Sequence, residues 1–282
     1  MKVTVTGGTG FIGNHVVETL LNKGVQVIVT GTDIQKAQKY SWCKNVTFLQ
    51  VDINAGHQDK LLEEIASSDK LIHLAWNGLP HYKELFHFEQ NLLAQYNFIK
   101  KLVLLGLKDI TVSGTCFEYG MREGALKTDM VSNPQNPYAI AKDTLRKFLQ
   151  ELQKTAEFKL KWLRLFYMYG KGQSEKSILS QLEQALQNED EFFNMSGGEQ
   201  VRDYLPVEEV AKLIVDHSLD NKKNGIYNVC SGNPITIKEL VENYLKQNNK
   251  SIKLNLDYYP YPDYEPMVFW GDSANLKTKN ND

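Results

Sequence analysis

Tyr138 and Lys142 stand four residues apart in the stretch Tyr138-Ala-Ile-Ala-Lys142. Asn136 suits a helix N-cap and Pro137 the first helical position, so the spacing puts both side chains on one helix face, one turn apart. The chemistry open to such a pair is proton transfer. A neighbouring ammonium favours the phenolate and is expected to draw the tyrosine pKa toward neutrality. A tyrosine so tuned exchanges a proton with a carbonyl or hydroxyl oxygen, and the lysine can also donate to ribose hydroxyls. An ordinary surface pair reads the same way in a chain with 14 tyrosines. Hydroxyls gather at a second place, Thr111-Val-Ser-Gly-Thr-Cys-Phe-Glu-Tyr-Gly120, where Ser113 and Thr115 follow an apolar run. They are either site hydroxyls or small polar residues closing a turn.

The pair gains meaning from the elements that must position it. In Met1 to Gly13, MKVTVTGGTGFIG, an apolar strand (Val3-Thr4-Val5) runs straight into Gly7, Gly8, Gly10 and Gly13, with Phe11-Ile12 opening a helix. Missing side chains let the backbone approach a pyrophosphate, and the helix N-terminus offers free N–H groups to it. The spacing is G-x-x-G-x-x-G rather than the commoner G-x-G-x-x-G. Its place between a strand and a helix is the context a dinucleotide site requires; a plain tight turn is the alternative.

Further strands are expected at 25–30, 46–51, 71–75, 110–113 and 160–167, and helices at 11–22, 61–66, 84–105 and 137–155. The strands are near-continuous apolar runs, as when helices cover both faces. Their alternation with helices argues for an α/β fold, a doubly wound parallel (Rossmann) sheet with a smaller C-terminal substrate lobe. Ligands bind at the carboxyl ends of such strands. Residues 1–165 are expected to form the dinucleotide-binding domain. Residues 166–282 are expected to be mainly a substrate-binding lobe that covers the open edge of the sheet. There, 174–188, 207–218 and 236–247 read as helices, and a strand at 225–230 is expected to rejoin the sheet. The stretch 253–272, rich in Tyr and Pro, shows little period, and the polar tail after Leu276 is expected to fray.

Composition bounds the function. At 282 residues the chain holds one large domain or two modest ones. A hydrophobic fraction of 42% and a charged fraction of 23% suit a folded soluble protein. A net charge of −2 without a basic run argues against nucleic acid or an acidic membrane surface as partner. No apolar run reaches membrane-spanning length, and the N-terminus lacks a signal-peptide layout, so a cytoplasmic protein is expected. Cys43, Cys116 and Cys230 are few, odd in number and widely spaced, which suggests neither a zinc site nor a disulfide framework. His73, His81 and His87 lack metal-ligand spacing and read as structural, so no metal is expected.

Taken together the motifs resemble the extended short-chain dehydrogenase/reductases, also called the NAD-dependent epimerase/dehydratase family. The carriers are T-G-G-T-G-F-I-G at 6–13, V-D-I at 51–53, L-I-H-L-A at 71–75, S-G-T-C-F-E-Y-G at 113–120 and Y-A-I-A-K at 138–142. L-R-L-F-Y-M-Y-G-K-G-Q at 163–173, R-D-Y-L-P-V at 202–207 and Y-N-V-C-S-G at 227–232 extend the likeness over nearly the whole chain. The resemblance implies a dinucleotide on the N-terminal domain and a nucleotide sugar on the C-terminal lobe. It implies Tyr138 as acid/base, Lys142 as its partner and Thr115 as the catalytic hydroxyl. It implies cofactor contacts at Gly7, Gly10, Phe11, Ile12, Gly13, Ser113, Tyr138 and Lys142, with Asp52 and Ile53 beside the adenine ring and Ala75 and Trp76 after the fourth strand. Arg202 matches an arginine that grips the substrate's phosphates, a sensible use of a fixed planar cation; Thr115 and Tyr167 complete the substrate contacts. Relatives often dimerise through the helices around 84–105 and 137–155, so a homodimer is expected.

Departures from the family narrow the reading. Members that prefer NAD end the second strand with an acidic residue that holds the adenine ribose. Here Thr30-Gly31-Thr32-Asp33 places Gly31 there, with Asp33 two residues late. Without the carboxylate a 2′-phosphate meets less repulsion, and Thr32, Lys36 or Lys39 could contact it. NADP(H) is therefore favoured, with NAD(H) the alternative if Asp33 swings back. Dehydratase members carry Asp-Glu after the catalytic Thr. Cys116-Phe117 stand here, so 4,6-dehydration is not expected; Glu118 comes one position late and would point differently, and Cys116 reads as a packing residue. Tyr167 replaces the Asn usual after strand six, which implies a differently shaped pocket. The late arginine near the substrate diphosphate is not evident. The tyrosines of YYPYPDYEPM, 258–267, could instead stack on a base or sugar, or simply pack the lobe.

The wording of S-G-T-C-F-E-Y-G and R-L-F-Y-M-Y-G-K-G-Q looks most like the ketoreductases of deoxysugar nucleotide synthesis. The expected reaction is NAD(P)H-dependent reduction of a nucleoside-diphosphate 4-keto-6-deoxyhexose, in the service of surface polysaccharide assembly. Tyr138 would give the proton, Thr115 would bind the same oxygen, and Lys142 would hold the ribose. The alternatives are a nucleotide-sugar 4-epimerase with tightly held NAD, and a non-catalytic dinucleotide sensor, against which the retained Thr115, Tyr138 and Lys142 argue.

Overall fold

A computed structural model describes residues 1–56 and 59–274; the tail after Leu276 lies outside the described residues. The first part alternates strand and helix: β1 (Lys2–Thr6), α1 (Phe11–Asn22), β2 (Gln26–Gly31), the short α2 (Ile34–Ala37), β3 (Thr47–Gln50) and α3 (Asp59–Ala66). Next come β4 (Lys70–His73), α4 (Leu92–Leu104), β5 (Asp109–Thr115), β6 (Gly124–Leu126), α5 (Pro137–Leu152) and β7 (Lys159–Leu165). The second part holds β8 (Tyr167–Tyr169), α6 (Ile178–Gln187), β9 (Phe192–Asn194), β10 (Val201–Pro206), α7 (Val207–Leu219) and β11 (Gly225–Val229). β12 (Pro234–Thr236), α8 (Ile237–Gln247), β13 (Lys253–Asn255) and β14 (Phe269–Gly271) complete it.

One sheet takes seven strands in the order β11-β7-β5-β4-β1-β2-β3, with every pairing parallel. Successive residues of a strand face opposite ways, and both faces are covered. Ile28, Leu71 and Ile110 meet Leu62, Phe98 and Leu145 from α3, α4 and α5. Val27, Val29 and Ile72 meet Val16, Leu20 and Ile214 from α1 and α7. That double cover is why the strands read as unbroken apolar runs, and it makes the fold the doubly wound α/β sheet that the alternation predicts. The strand order reverses between β1 and β4, which is the switch point where such sheets bind ligands.

Within 166–282, both α7 and β11 pack with this sheet. The rest builds a lobe around Leu179, Leu182, Phe193, Leu240 and Val241, carrying the three-stranded sheet β12-β10-β8. The strand expected over 160–167 is interrupted. β7 stops at Leu165, the Phe166 N–H bonds to the Val229 carbonyl at 3.1 Å, and Tyr167–Tyr169 crosses to pair with β10. Phe166 is buried with Tyr119, Cys230 and Phe269, so the apolar run continues although the chain has changed sheets. The helix expected from 84 opens instead as a π-helical turn, His87–Asn91, before α4. Residues 253–272 contain β13 and β14, each three residues long and too short to show alternation.

Candidate active site

Helix α5 starts where its capping residues place it. Asn136 accepts the Ala139 N–H at 2.9 Å, and Pro137 opens the first turn. Tyr138 and Lys142 then lie buried against the end of β5. The Lys142 ammonium donates to the Ser113 carbonyl at 2.8 Å and sits 4.2 Å from the centre of the Trp76 ring. Thr115, the last residue of β5, has its side chain beside the Tyr138 phenol, where it favours the phenolate. Ser113, Thr115, Tyr138 and Lys142 therefore form one cluster drawn from two elements, with Ser113 joining through its carbonyl.

The tuning of Tyr138 differs from the expectation. Burial pushes the phenol well up, with Tyr82, Glu118 and Cys116 acting the same way and the Thr115 hydrogen bond opposing. Burial also draws Lys142 down to about 7, against the pull of Glu118. Desolvation disfavours the charged form of each group and is the largest cause for both. Tyr138 is held as a protonated phenol, the form that can give a proton.

A cavity of about 240 Å³ opens at the switch point. Gly7, Gly10, Thr32, Asp52, Ile53, Ala75 and Trp76 line it, as do Gly31 and Lys36. Gly7 has φ +70°, and a Cβ there would stand 2.9 Å from the Ala75 nitrogen, so only glycine lets the turn lie this close to the end of β4. Helix α1 has no side-chain cap at Gly10, which leaves its first N–H groups for ligand oxygens. A backbone cradle, an uncapped helix start and a groove lined by Asp52 and Lys36 together fit a dinucleotide. Phe11, Ile12 and Gly13 form the first turn of α1 beside the cavity. A Cβ at Gly13 would clash with the Gly7 carbonyl, so Gly13 closes the turn. Asp33 caps α2, its Oδ1 accepting the N–H groups of Gln35 at 2.8 Å and Lys36 at 3.2 Å.

A second cavity of about 510 Å³ lies in the lobe, and Tyr138 lines neither of the two but packs against a residue of each. Its ring packs on Trp76, 6.0 Å away, which lines the first, and on Tyr82, 5.4 Å away, which lines the second. Tyr167 and Arg202 both line the second cavity. Arg202 is not a free cation. Its Nε and Nη2 donate to Glu265 Oε2 at 3.1 and 2.8 Å, and its Nη1 donates to the carbonyls of Val201 and Met267 at 2.9 and 3.0 Å. The Tyr167 hydroxyl donates to the same carboxylate oxygen at 2.6 Å. A substrate phosphate at Arg202 must therefore compete with Glu265. Of the late tyrosines, Tyr264 lines the cavity, whereas Tyr258 and Tyr259 are exposed and pack on each other.

Three residues near the site hold contacts that the sequence reading did not give. Glu118 is fully buried and accepts the N–H of Thr115 itself at 2.9 Å; the pattern Thr115-x-x-Glu118 is that of a capping box and was the available signal. Glu265 carried no signal beyond being a carboxylate in a Tyr- and Pro-rich stretch. His87 is placed by the π turn: it accepts the Trp76 indole N–H at 3.0 Å through Nδ1, and its Nε2 lies 2.9 Å from the His81 carbonyl. Burial lowers its pKa and draws that of His73 down to about 3, so both serve as neutral structural groups. Burial likewise pushes the Cys116 thiol far up. Among the described residues, no group of three or more His, Cys, Asp or Glu could hold a metal.

Residues 3–230 match the NAD dependent epimerase/dehydratase family. The chain is similar to the dTDP-6-deoxy-L-talose 4-dehydrogenase (NAD(+)) of Aggregatibacter actinomycetemcomitans, with 32% identity over 272 residues, covering 96% of this chain and 99% of that protein. It is 28% identical over 269 residues to a UDP-glucose 4-epimerase of Halalkalibacterium halodurans, covering 86% and 79% of the two chains. Among solved structures, the UDP-N-acetylglucosamine 4-epimerase of Methanobrevibacter ruminantium M1, in complex with UDP-N-acetylmuramic acid, matches with a TM-score of 0.85 at 25% identity, covering 98% and 90%.

Proposed function

The chain belongs to the NAD dependent epimerase/dehydratase family, and from that premise we propose that it reduces the C4 carbonyl of a nucleoside-diphosphate 4-keto-6-deoxyhexose with NAD(P)H. The observation that carries this reading is the cluster itself: Thr115 beside the Tyr138 phenol, with Lys142 one turn on, and the Tyr138 ring packed on Trp76 of a cavity that fits a dinucleotide and on Tyr82 of a larger one. The Aggregatibacter relative, matched nearly end to end, acts by its name at position 4 of a 6-deoxy sugar; a 4-keto sugar is the oxidised partner of such an alcohol.

Gly7, Gly10, Asp52 and Ile53 would hold the dinucleotide, whose nicotinamide would supply the hydride. Tyr138 gives its proton to the carbonyl oxygen as negative charge develops there. The Thr115 hydroxyl binds the same oxygen. Lys142 holds the ribose end and offsets the charge left on the phenolate. In the second cavity, Arg202 anchors the diphosphate once Glu265 yields, so remote binding energy orients the sugar. The rings of Tyr82, Phe117 and Tyr264 make an apolar wall suited to a C6 methyl group.

NAD is the cofactor named for the family and for the Aggregatibacter enzyme. The adenosine end of the cavity supports NADPH as well, because Lys36 and Thr32 line it while the Asp33 carboxylate is engaged in capping α2. Exposed Leu93, Leu104, Ile140 and Phe148 on α4 and α5 support a homodimer through those helices, and three unpaired cysteines support a cytoplasmic setting.

A 4-epimerase is the second reading, supported by the similarity to epimerases such as those of Halalkalibacterium and Methanobrevibacter. Cofactor traffic separates the two. Purified protein would be given nucleotide 4-keto-6-deoxyhexoses differing in base, with NADH and NADPH in parallel. Net oxidation of the cofactor, with NADPH serving at least as well as NADH, is the expected result. NAD that survives purification, with hexose interconversion and no net redox, would instead establish the epimerase.

A further inference from the structure

Beneath Thr115 lies a carboxylate that the reaction as written does not use. Glu118 sits in the single turn Cys116–Tyr119 after β5 and is wholly buried. Its Oε1 accepts the Thr115 N–H at 2.9 Å and the Trp162 indole N–H at 2.9 Å. Its Oε2 accepts from Arg164 Nε at 2.8 Å, and Arg146 Nε lies 3.8 Å away. In return Thr115 Oγ1 accepts the Phe117 N–H at 3.2 Å. Burying a carboxylate is costly unless it is paired and hydrogen-bonded, and Arg164 and Arg146 supply that pairing. Gly114 makes the arrangement possible: a Cβ there would clash with the Trp162 indole nitrogen and crowd Glu118.

We propose that Glu118 is a positioning residue for this site, fixing Thr115 through its backbone N–H. The proposal rests on the reading of Thr115, Tyr138 and Lys142 given above. Around Lys142 stand Tyr138 from α5, the Ser113 carbonyl from β5, His73 from β4, and Trp76 and His87 from the segment after β4. Around Glu118 stand Arg164 from β7, Arg146 with Asp143 and Tyr138 from α5, and Cys116 and Tyr119 from its own turn. Glu118 is the carboxylate that favours the Lys142 ammonium. Removing its charge must move the titration of Lys142 to lower pH, and activity that needs the ammonium must fall earlier as pH rises.

The test is the pH profile of kcat for Glu118→Gln and Glu118→Asp, with NADH affinity measured alongside. Glu118→Gln is expected to shift the alkaline limb down by about one unit and to lower kcat by roughly ten- to a hundredfold through loss of alignment at Thr115. Glu118→Asp keeps the charge but withdraws it from the Thr115 N–H; it should lose about tenfold in kcat with the limb in place. NADH affinity should be unchanged in Glu118→Asp. A Glu118→Gln limb at the wild-type pH, a shifted limb in Glu118→Asp, or wild-type kcat in Glu118→Asp would each overturn the proposal. If Glu118→Gln does not fold, Glu118→Asp decides alone. Tyr138→Phe run in parallel separates the two levels: if it turns over like wild type, the reading of the site fails rather than the role of Glu118.

Discussion

Lys142 shows how burial sets the chemistry at the level of one residue. Its ammonium is almost wholly buried, with a carbonyl and an indole face as its contacts and the Glu118 carboxylate as the charge that favours it. The native pKa of about 7 lies below the value of about 10.4 for a lysine in an unfolded chain. Between those values the unfolded chain binds more protons than the native protein, so this residue makes stability rise with pH across that window. Lys142→Met should flatten the rise. Melting temperatures of wild type and variant at pH 7 and pH 9 would show it, and equal increments in both proteins would contradict the assignment. The same burial holds Tyr138 protonated, the useful state for the proton donor proposed above. Neither direction was legible in the sequence, because the spacing of Tyr138 and Lys142 shows their mutual attraction but not the rings of Trp76 and Tyr82 that exclude water from them.

At the scale of elements, a few short-range rules position the site, and these were legible. A strand that ends in hydroxyls, a helix opened by Asn136-Pro137 and a turn made of glycines each depend on neighbours in sequence. Gly13 shows how tight the result is, since a Cβ there would meet the carbonyl of Gly7 and the Cα of Gly8 rather than a movable side chain. Gly13→Ala should cost about 1–3 kcal/mol of stability and, by shifting the turn, weaken dinucleotide binding by roughly tenfold, or about 1.4 kcal/mol. Gly24→Ala is the control: its φ of +69° also strains an alanine, but open space surrounds it. It should lower the melting temperature without changing affinity, and fluorescence titration with NADH would distinguish the two. The crossing from β7 to β8 and the pairing of β14 with β6 were not legible, because they depend on partners far away in sequence and involve strands of three residues.

Across the whole molecule, the sheet and the lobe meet on either side of Tyr138. The switch point between β1 and β4 supplies one cavity. The lobe supplies the other, held by Arg202 to Glu265 and by Asp203, whose carboxylate accepts the N–H groups of Ser231 at 2.6 Å and Gly232 at 2.9 Å. The sequence indicated that Arg202 would face a ligand, but not that Glu265 would reach it first from 63 residues away. Tyr138 thus stands where a group held on one side can react with one held on the other, and the central claim is that this reaction is net reduction at C4. Isotope transfer tests it most directly. Cofactor carrying deuterium at its transferable position would be incubated with the protein and a nucleoside-diphosphate 4-keto-6-deoxyhexose, and the sugar read by NMR. The account predicts one deuterium at C4 for each cofactor oxidised, with turnover lost in Tyr138→Phe while cofactor binding persists. Unconsumed cofactor together with interconverted hexoses, or label transfer undiminished in Tyr138→Phe, would contradict it.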